Sequence, residues 1–354
     1  MNESSPTTVK PDVLQAARKA DLHYTSDNEP GIRRSRTRIG FRYTSPTGRK
    51  LSRDDHERIR KLAIPPAWTD VWICADEDGH LQATGRDAKG RKQARYHARW
   101  REVRDGAKYE RLSAFGKVLP RLRRRIKNDL AATGLPRQKV LAALIQLLEV
   151  THIRIGNVEY ARQNGSIGLT TMRDKHVAIT GETLRFEFTG KSGVKHDVGL
   201  RDKRLARIVK KCQDLPGQTL FQYLDADGQK HAITSADVND YLREVTGEAF
   251  TAKDFRTWTG TVLAYQLLNE IEVLPDMTSP DKSINQVIAQ VAAELGNTKA
   301  VCRKFYIHPA VIDAYVRRCA GNGDPVSAKR CRTRLHASEH ALMLLLKNKR
   351  RKAS

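Results

Sequence analysis

The chain has 354 residues, with 64 lysines and arginines against 40 aspartates and glutamates, a formal net charge of +24 at pH 7. A surplus that large, on a chain that is 39% hydrophobic, excludes a disordered basic tail and points to a folded protein that meets a polyanion, nucleic acid first. The length suggests two or so domains, each able to bury a core.

Residues 1–30 open on Asn2-Glu3-Ser4-Ser5-Pro6 and read as a weakly ordered extension. From Gly31 to Arg53 there are eight basic residues and no acidic one. Ile39, Phe41 and Tyr43 alternate with Gly40 and Arg42, a strand pattern that ends at the turn Ser45-Pro46-Thr47-Gly48. Val71–Cys74 and His80–Thr84 flank Asp78-Gly79 and predict a hairpin. Residues 31–104 are therefore expected to form a β-rich domain, and residues 105–354 a mainly α-helical one. In the second region Leu112, Phe115, Val118 and Leu119 recur at helical spacing. So do Val140, Leu141, Leu144, Leu147 and Leu148, then Val238, Tyr241, Leu242 and Val245, then Val287, Ile288, Val291 and Leu295. One β interruption stands out. Leu184, Phe186 and Phe188 alternate within Thr183–Phe188, Thr189-Gly190-Lys191-Ser192-Gly193 makes a turn, and Val194–Val198 returns, a hairpin with Lys191 near its tip. The expected fold class is α+β: a small, mainly β N-terminal domain, then a larger helical domain with a β-hairpin carrying Lys191. The tail from Ala328 holds nine basic residues and one acidic.

The five cysteines, Cys74, Cys212, Cys302, Cys319 and Cys331, form no C-x-x-C pair, which suggests a reduced, cytoplasmic chain with neither disulfides nor zinc. No signal-peptide core marks residues 1–30, and the longest apolar run near either end, Ala341–Leu346, is too short to span a bilayer, so no membrane partner is expected. Thr189-Gly190-Lys191-Ser192 resembles part of a P-loop. The required upstream glycine is Arg185, however, and the segment lies between strands, so nucleotide binding there is rejected. No carboxylate cluster suits a metal-dependent nuclease.

The chemistry that remains is arginine, lysine and tyrosine. Arg154 follows an apolar helix in Thr151-His152-Ile153-Arg154-Ile155-Gly156-Asn157, and Arg256 sits in Lys253-Asp254-Phe255-Arg256-Thr257-Trp258. A guanidinium in apolar surroundings needs an anionic partner, which can be a structural carboxylate or a bound phosphate. Tyr306, in Arg303-Lys304-Phe305-Tyr306-Ile307-His308-Pro309, reads on its own as a core tyrosine.

Taken together and in order, these pieces resemble the catalytic domain of type IB DNA topoisomerases, in the compact poxvirus-like form found in bacteria. The matching segments are Ile153-Arg154-Ile155-Gly156, Gly190-Lys191, Lys253-Asp254-Phe255-Arg256-Thr257, Gly296-Asn297-Thr298 and Arg303-Lys304-Phe305-Tyr306. Ile64-Pro65-Pro66-Ala67-Trp68 and Gly90-Arg91-Lys92-Gln93-Ala94-Arg95-Tyr96 look like the family's small β domain, so the resemblance runs from about Gly31 onward. Asn297 stands where the best-known members carry histidine. It can donate a hydrogen bond to a phosphate oxygen but can neither carry charge nor shuttle a proton.

The resemblance implies a monomer that clamps double-stranded DNA, is nucleoid-associated in the cytoplasm, and relaxes supercoils with no cofactor. Tyr306 would be the nucleophile that forms a 3′-phosphotyrosyl link. Arg154 and Arg256 would hold the non-bridging oxygens, with Asn297 as a neutral donor. Lys191 would protonate the departing 5′-oxygen, with Arg154 assisting. Gln93, Arg95, Tyr96, Gly156, Tyr160 and Lys253 would contact DNA. Arg86–Arg101 holds seven basic residues and one acidic, although a solvated charged face explains many of these equally well. A tyrosine recombinase shares the Arg, Lys, Arg and Tyr set, but its box would usually begin with histidine where Lys253 stands, and its N-terminal domain would be helical. A basic architectural binder would leave the ordered set unexplained.

Overall fold

The computed structural model describes residues 11–272, 279–321 and 335–353. The chain divides into two compact units, Met1–Glu110 and Arg111–Ser354.

The first unit contains α1 (Pro11–Lys19), β1 (Ile32–Thr37), β2 (Gly40–Thr44), α2 (Arg53–Lys61), β3 (Thr69–Ile73), β4 (Leu81–Arg86) and β5 (Lys92–Tyr96). The strands make one antiparallel sheet in the order β2-β1-β3-β4-β5. Ser52 caps α2 through a reciprocal pair with Asp55, and the helix lays Ile59 on Ile32, Val71, Ile73 and Ala83 of the sheet. On β2 the alternation holds, with Phe41 and Tyr43 half-buried between exposed neighbours. Ile39 is not part of that strand: Thr37 pairs with Gly40, which leaves Arg38 and Ile39 as a two-residue turn with Ile39 95% exposed.

Residues 11–30 differ from the weakly ordered extension expected of them. Their polar composition hides a few well-placed anchors: Ala17, Ala20 and Leu22 pack against Trp100, and Trp72 Nε1 donates to Glu29 O at 2.9 Å. Residues 1–10 of that extension lie outside the described residues.

The division between units falls within α3 (Ala98–Asp129). There follow α4 (Arg137–Thr151), α5 (Val158–Asn164), β6 (Val177–Thr180), β7 (Thr183–Thr189), β8 (Lys195–Arg201), α6 (Lys203–Gln213), β9 (Gln222–Leu224) and β10 (Lys230–Ala232). The rest is helical: α7 (Ser235–Thr246), α8 (Ala252–Glu270), α9 (Asp281–Glu294), α10 (Lys299–Phe305), α11 (Pro309–Cys319) and α12 (Ala337–Ala353). Helix α4 is buried all round rather than along one face, because Ala142, Ala143 and Ile145 are as hidden as Leu141 and Leu144. It forms the centre of the second unit's core. Strands β6, β7 and β8 form a three-stranded antiparallel sheet, with Leu184, Phe186 and Phe188 facing inward. The four-residue β6 is too short for its alternation to show in sequence. Residues 322–334, which include Cys331 and much of the basic tail, lie outside the described residues.

Candidate active site

Two arginines meet where α4 ends and α8 begins. After α4, His152 turns into the left-handed region at φ 57°, which throws the chain sideways. The segment that follows is pinned by Leu169 N–H to Arg154 O at 2.9 Å and Thr170 N–H to Ile155 O at 2.7 Å. Helix α8 is started by Thr251 and Asp254 in a reciprocal cap, and Arg111 clamps the same carboxylate at 2.9 Å. Phe255 beneath it packs on Phe115, so the Asp and Phe of the Lys253–Thr257 motif serve the fold. Arg256 is left pointing along the helix into the site.

Arg256 is 5% exposed, and its two terminal nitrogens donate to the carbonyls of His152 and Leu295. Arg154 donates to Gly296 O at 3.0 Å and to Asn297 Oδ1. Among the described residues neither guanidinium forms an ion pair with a carboxylate, so the structural ion pair that the sequence left open is not what fills these positions. Arg256 Nε and Asn297 Nδ2 are buried donors with no acceptor. Burial pushes both guanidinium pKa values down, and the charge of Arg256 pushes Arg154 further the same way. Both stay charged near neutral pH, because arginine does not deprotonate in proteins. A cluster of two cations without a carboxylate partner and two orphan donors is complementary to an anion with several oxygens.

Tyr306 caps α10 beside this pair. Its ring centroid lies 5.4 Å from Arg256 Cζ. Its backbone is gripped by α8 one turn beyond Arg256. Thr261 Oγ1 lies 2.8 Å from Thr257 O and 3.1 Å from Tyr306 O, and it accepts from His308 N–H at 3.2 Å. A Cβ built on Gly260 would come within 2.7 Å of Tyr306 O, so glycine there permits the close approach. One helix thus sets both Arg256 and Tyr306.

Residues 190–194 connect β7 to β8, and Lys191 is exposed there, its Nζ 5.7 Å from the ring centroid of Tyr160 on α5. Gly156 lies in the bend after Arg154 at φ +91°, Tyr160 is half-buried, and Lys253 is exposed at the start of α8. The sequence reading missed His196. It lies on β8 directly across from Phe188, with the rings stacked at 4.8 Å. Burial lowers its pKa, and the nearby charges of Arg154 and Arg256 act in the same direction. Its place five residues after Lys191 on the returning strand was the available signal.

In the first unit the expected contacts on β5 are partly engaged elsewhere. Gln93 Nε2 donates to Asp87 at 2.9 Å, and Arg95 donates to Ala63 O at 3.1 Å and lies over Trp68; Tyr96 is 39% exposed. Nearby, Arg86, Arg91 and Lys92 pair with Asp70, Asp87 and Asp27. On the β1–β2 ribbon, by contrast, Arg33, Arg36, Arg38 and Arg42 are exposed, and none has a carboxylate partner among the described residues. No described helix is long and apolar enough to cross a membrane.

Comparison with known proteins gives the family. The family description "Eukaryotic DNA topoisomerase I, catalytic core" matches residues 97–324, more than half of the chain, and "Bacterial DNA topoisomerase IB, N-terminal domain" matches residues 40–87. The chain belongs to the type IB DNA topoisomerase family. Among relatives, a DNA topoisomerase 1B of Acanthamoeba polyphaga mimivirus is 33% identical over 280 residues, covering 77% of this chain and 83% of that protein. The DNA topoisomerase 1B of vaccinia virus is 23% identical over 266 residues, covering 73% of this chain and 81% of the relative. A monkeypox virus DNA topoisomerase I matches to the same extent. The family match spans every residue of the second-unit site, from Arg154 to Tyr306.

Proposed function

We propose that this chain relaxes supercoiled double-stranded DNA as a member of the compact, poxvirus-like bacterial branch, acting as a monomer whose two units both grip the duplex. The observation that carries the reading is the pair of buried donors without acceptors, Arg256 Nε, on the guanidinium that lies over the Tyr306 ring, and Asn297 Nδ2, on the amide that Arg154 holds. A phosphodiester supplies the missing acceptors.

A phosphodiester resists attack because its oxygens repel the nucleophile, and a phenol with an ordinary pKa of about 10 is a weak one. Arg154 and Arg256 spread positive charge over the non-bridging oxygens, and Asn297 adds a neutral hydrogen bond. Tyr306 Oη forms the bond to phosphorus as its own proton passes to water, and the bond from phosphorus to the 5′-oxygen breaks. Lys191 Nζ gives a proton to that oxygen, and Arg154 assists. The product is a 3′-phosphotyrosyl link and a free 5′-hydroxyl. Religation runs the same steps backward, with the 5′-hydroxyl proton returning to Lys191. The link stores the energy of the broken bond, so ATP is not needed, and the arginines and lysine supply the charge that a metal ion provides elsewhere.

The test is plasmid relaxation with and without EDTA, in the absence of ATP, by the parent chain and by Tyr306→Phe. The parent is expected to relax DNA under both conditions. Tyr306→Phe should bind DNA but neither relax it nor attach to it. Relaxation confined to one DNA site would favour a recombinase, binding without relaxation an architectural protein, and a strict magnesium requirement a different mechanism.

A further inference from the structure

We propose that His196 is a positioning residue for strand cleavage: its ring wedges between Gly190 and Gly296 and holds the Lys191 turn against the arginine cluster. This inference rests on the reading of Lys191 as proton donor, and on the following geometry.

Each glycine immediately precedes a residue of the site, Gly190 before Lys191 and Gly296 before Asn297. A Cβ built on Gly190 would lie 2.7 Å from His196 Cδ2 and Nε2, and one built on Gly296 would lie 2.7 Å from Cε1. The imidazole therefore fills the space that a side chain would need on either side. Its third contact is Phe188, stacked at 4.8 Å with the planes 10° apart. Among the described residues neither ring nitrogen makes a hydrogen bond, so shape and stacking hold it.

The two sides differ in how firmly they are fixed. Gly296 is anchored: its carbonyl accepts from Arg154 at 3.0 Å, its N–H donates to Ala293 O at 3.1 Å, and Asn297 N–H donates to Ala292 O at 2.8 Å. The Lys191 turn is closed by its own backbone, with Gly190 N–H to Val194 O at 2.8 Å and Gly193 N–H to Gly190 O at 3.2 Å. Residues 191–194 are all exposed. His196 is the side chain that ties this turn to the anchored side. The depressed imidazole pKa fits the role, since a neutral ring can sit beside two guanidinium charges without repulsion.

The experiment is single-turnover cleavage by the full chain at a duplex site first mapped with the parent. The duplex carries either the natural oxygen or a bridging sulfur at the 5′ position. A thiolate leaves unprotonated because a thiol's pKa is only about 8.5, so the sulfur duplex bypasses Lys191. His196→Ala should cleave the oxygen duplex about 10- to 100-fold more slowly, the scale of a misplaced group, and the sulfur duplex at close to the parental rate. Lys191→Ala/His196→Ala should be no slower than Lys191→Ala. Gly190→Ala, which pushes the ring from the other side, should reproduce the pattern. Equal slowing on both duplexes, an additive double variant, or an unaffected His196→Ala would overturn the proposal. A parent that cleaves neither duplex would instead overturn the reading of the site itself.

Discussion

The sharpest test of how Tyr306 is placed is Gly260→Ala. The added methyl would lie 2.7 Å from Tyr306 O, whereas ordinary contacts begin at 3.4 Å, so something must move by about 0.7 Å. The neighbour at 3.1 Å, Leu295 Cδ1, can rotate away. The carbonyl cannot move without carrying Tyr306 along, because Thr261 Oγ1 holds the same oxygen at 3.1 Å. A misplacement near 1 Å in a reacting group costs about 10²-fold, so the covalent adduct should form roughly ten- to a hundredfold more slowly. Helix propensity works the other way: alanine is favoured over glycine inside a helix by about 0.8–1.0 kcal/mol. The thermal midpoint should therefore fall little while the rate falls steeply. The assay is single-turnover adduct formation on duplex DNA, read by denaturing gel beside a thermal melt. Gly199→Ala is the control, since a Cβ there meets nothing within 4 Å. Adduct formation at the parental rate, with an undisturbed melt, would show that the approach of α8 to Tyr306 does not set the nucleophile.

Replacing Arg33, Arg36, Arg38 and Arg42 together by glutamine should flatten the slope of log affinity against log salt by about 0.9 for each phosphate that is no longer neutralised, measured in the Tyr306→Phe background so that cleavage does not interfere. Replacement of Arg86, Arg91 and Lys92, which already pair with Asp70, Asp87 and Asp27, should change the slope less per residue replaced; the opposite ranking would return the DNA footprint to the β4–β5 region. Glu339→Gln should cost about 3 kcal/mol in urea unfolding, the low end for breaking a buried pair, because Arg123 keeps Glu149 at 2.6 Å; an unchanged midpoint would refute it. Burial by itself would raise the Glu339 carboxyl, but hydrogen bonds from Arg123 and Trp258 outweigh it and hold the pKa low. A depressed folded-state pKa gives stability that is present above the unfolded value of about 4.3 and lost as pH falls through the folded one. The parent should therefore lose stability on acidification below that range, and Glu339→Gln should lose less.

What the sequence disclosed follows the range of the interactions. Strands β2 and β7 and helices α7 and α9 could be read because one face of each is buried, and a repeat of two or of 3.6 shows within a few residues. Helix α1 could not, since its anchor is Trp100, eighty or so residues away, and the anchoring residues are mostly alanines. Ile39 misled because alternation continued one step past the strand into a turn fixed by cross-strand pairing. In the site, Arg154, Arg256 and Tyr306 stood out as chemistry in apolar or ordered company. His196 did not, because its role depends on two glycines 106 residues apart that only the fold brings to either side of it. Composition shows basic runs at Gly31–Arg53 and Arg86–Arg101 but not the carboxylates that the fold sets beside Arg86, Arg91 and Lys92.

Asparagine at position 297 suits the electrostatics around it. Arg154 donates to Asn297 Oδ1, which orients the amide so that Nδ2 is the free donor. The side chain thus gives one oxygen to a guanidinium and keeps one N–H for a phosphate. Two buried cations already share this space, and each has its pKa lowered by burial, Arg154 also by the charge of Arg256. A protonated histidine here would add a third positive charge to a cluster in which, among the described residues, no carboxylate pairs with either guanidinium, raising the desolvation cost before any DNA arrives. A neutral amide offers the same hydrogen-bond donor without that cost, and without a titration of its own near neutral pH. In the mechanism proposed above, proton transfer then falls to Lys191 with Arg154 assisting, and the placement of the Lys191 turn becomes a geometric variable that the His196 variants test.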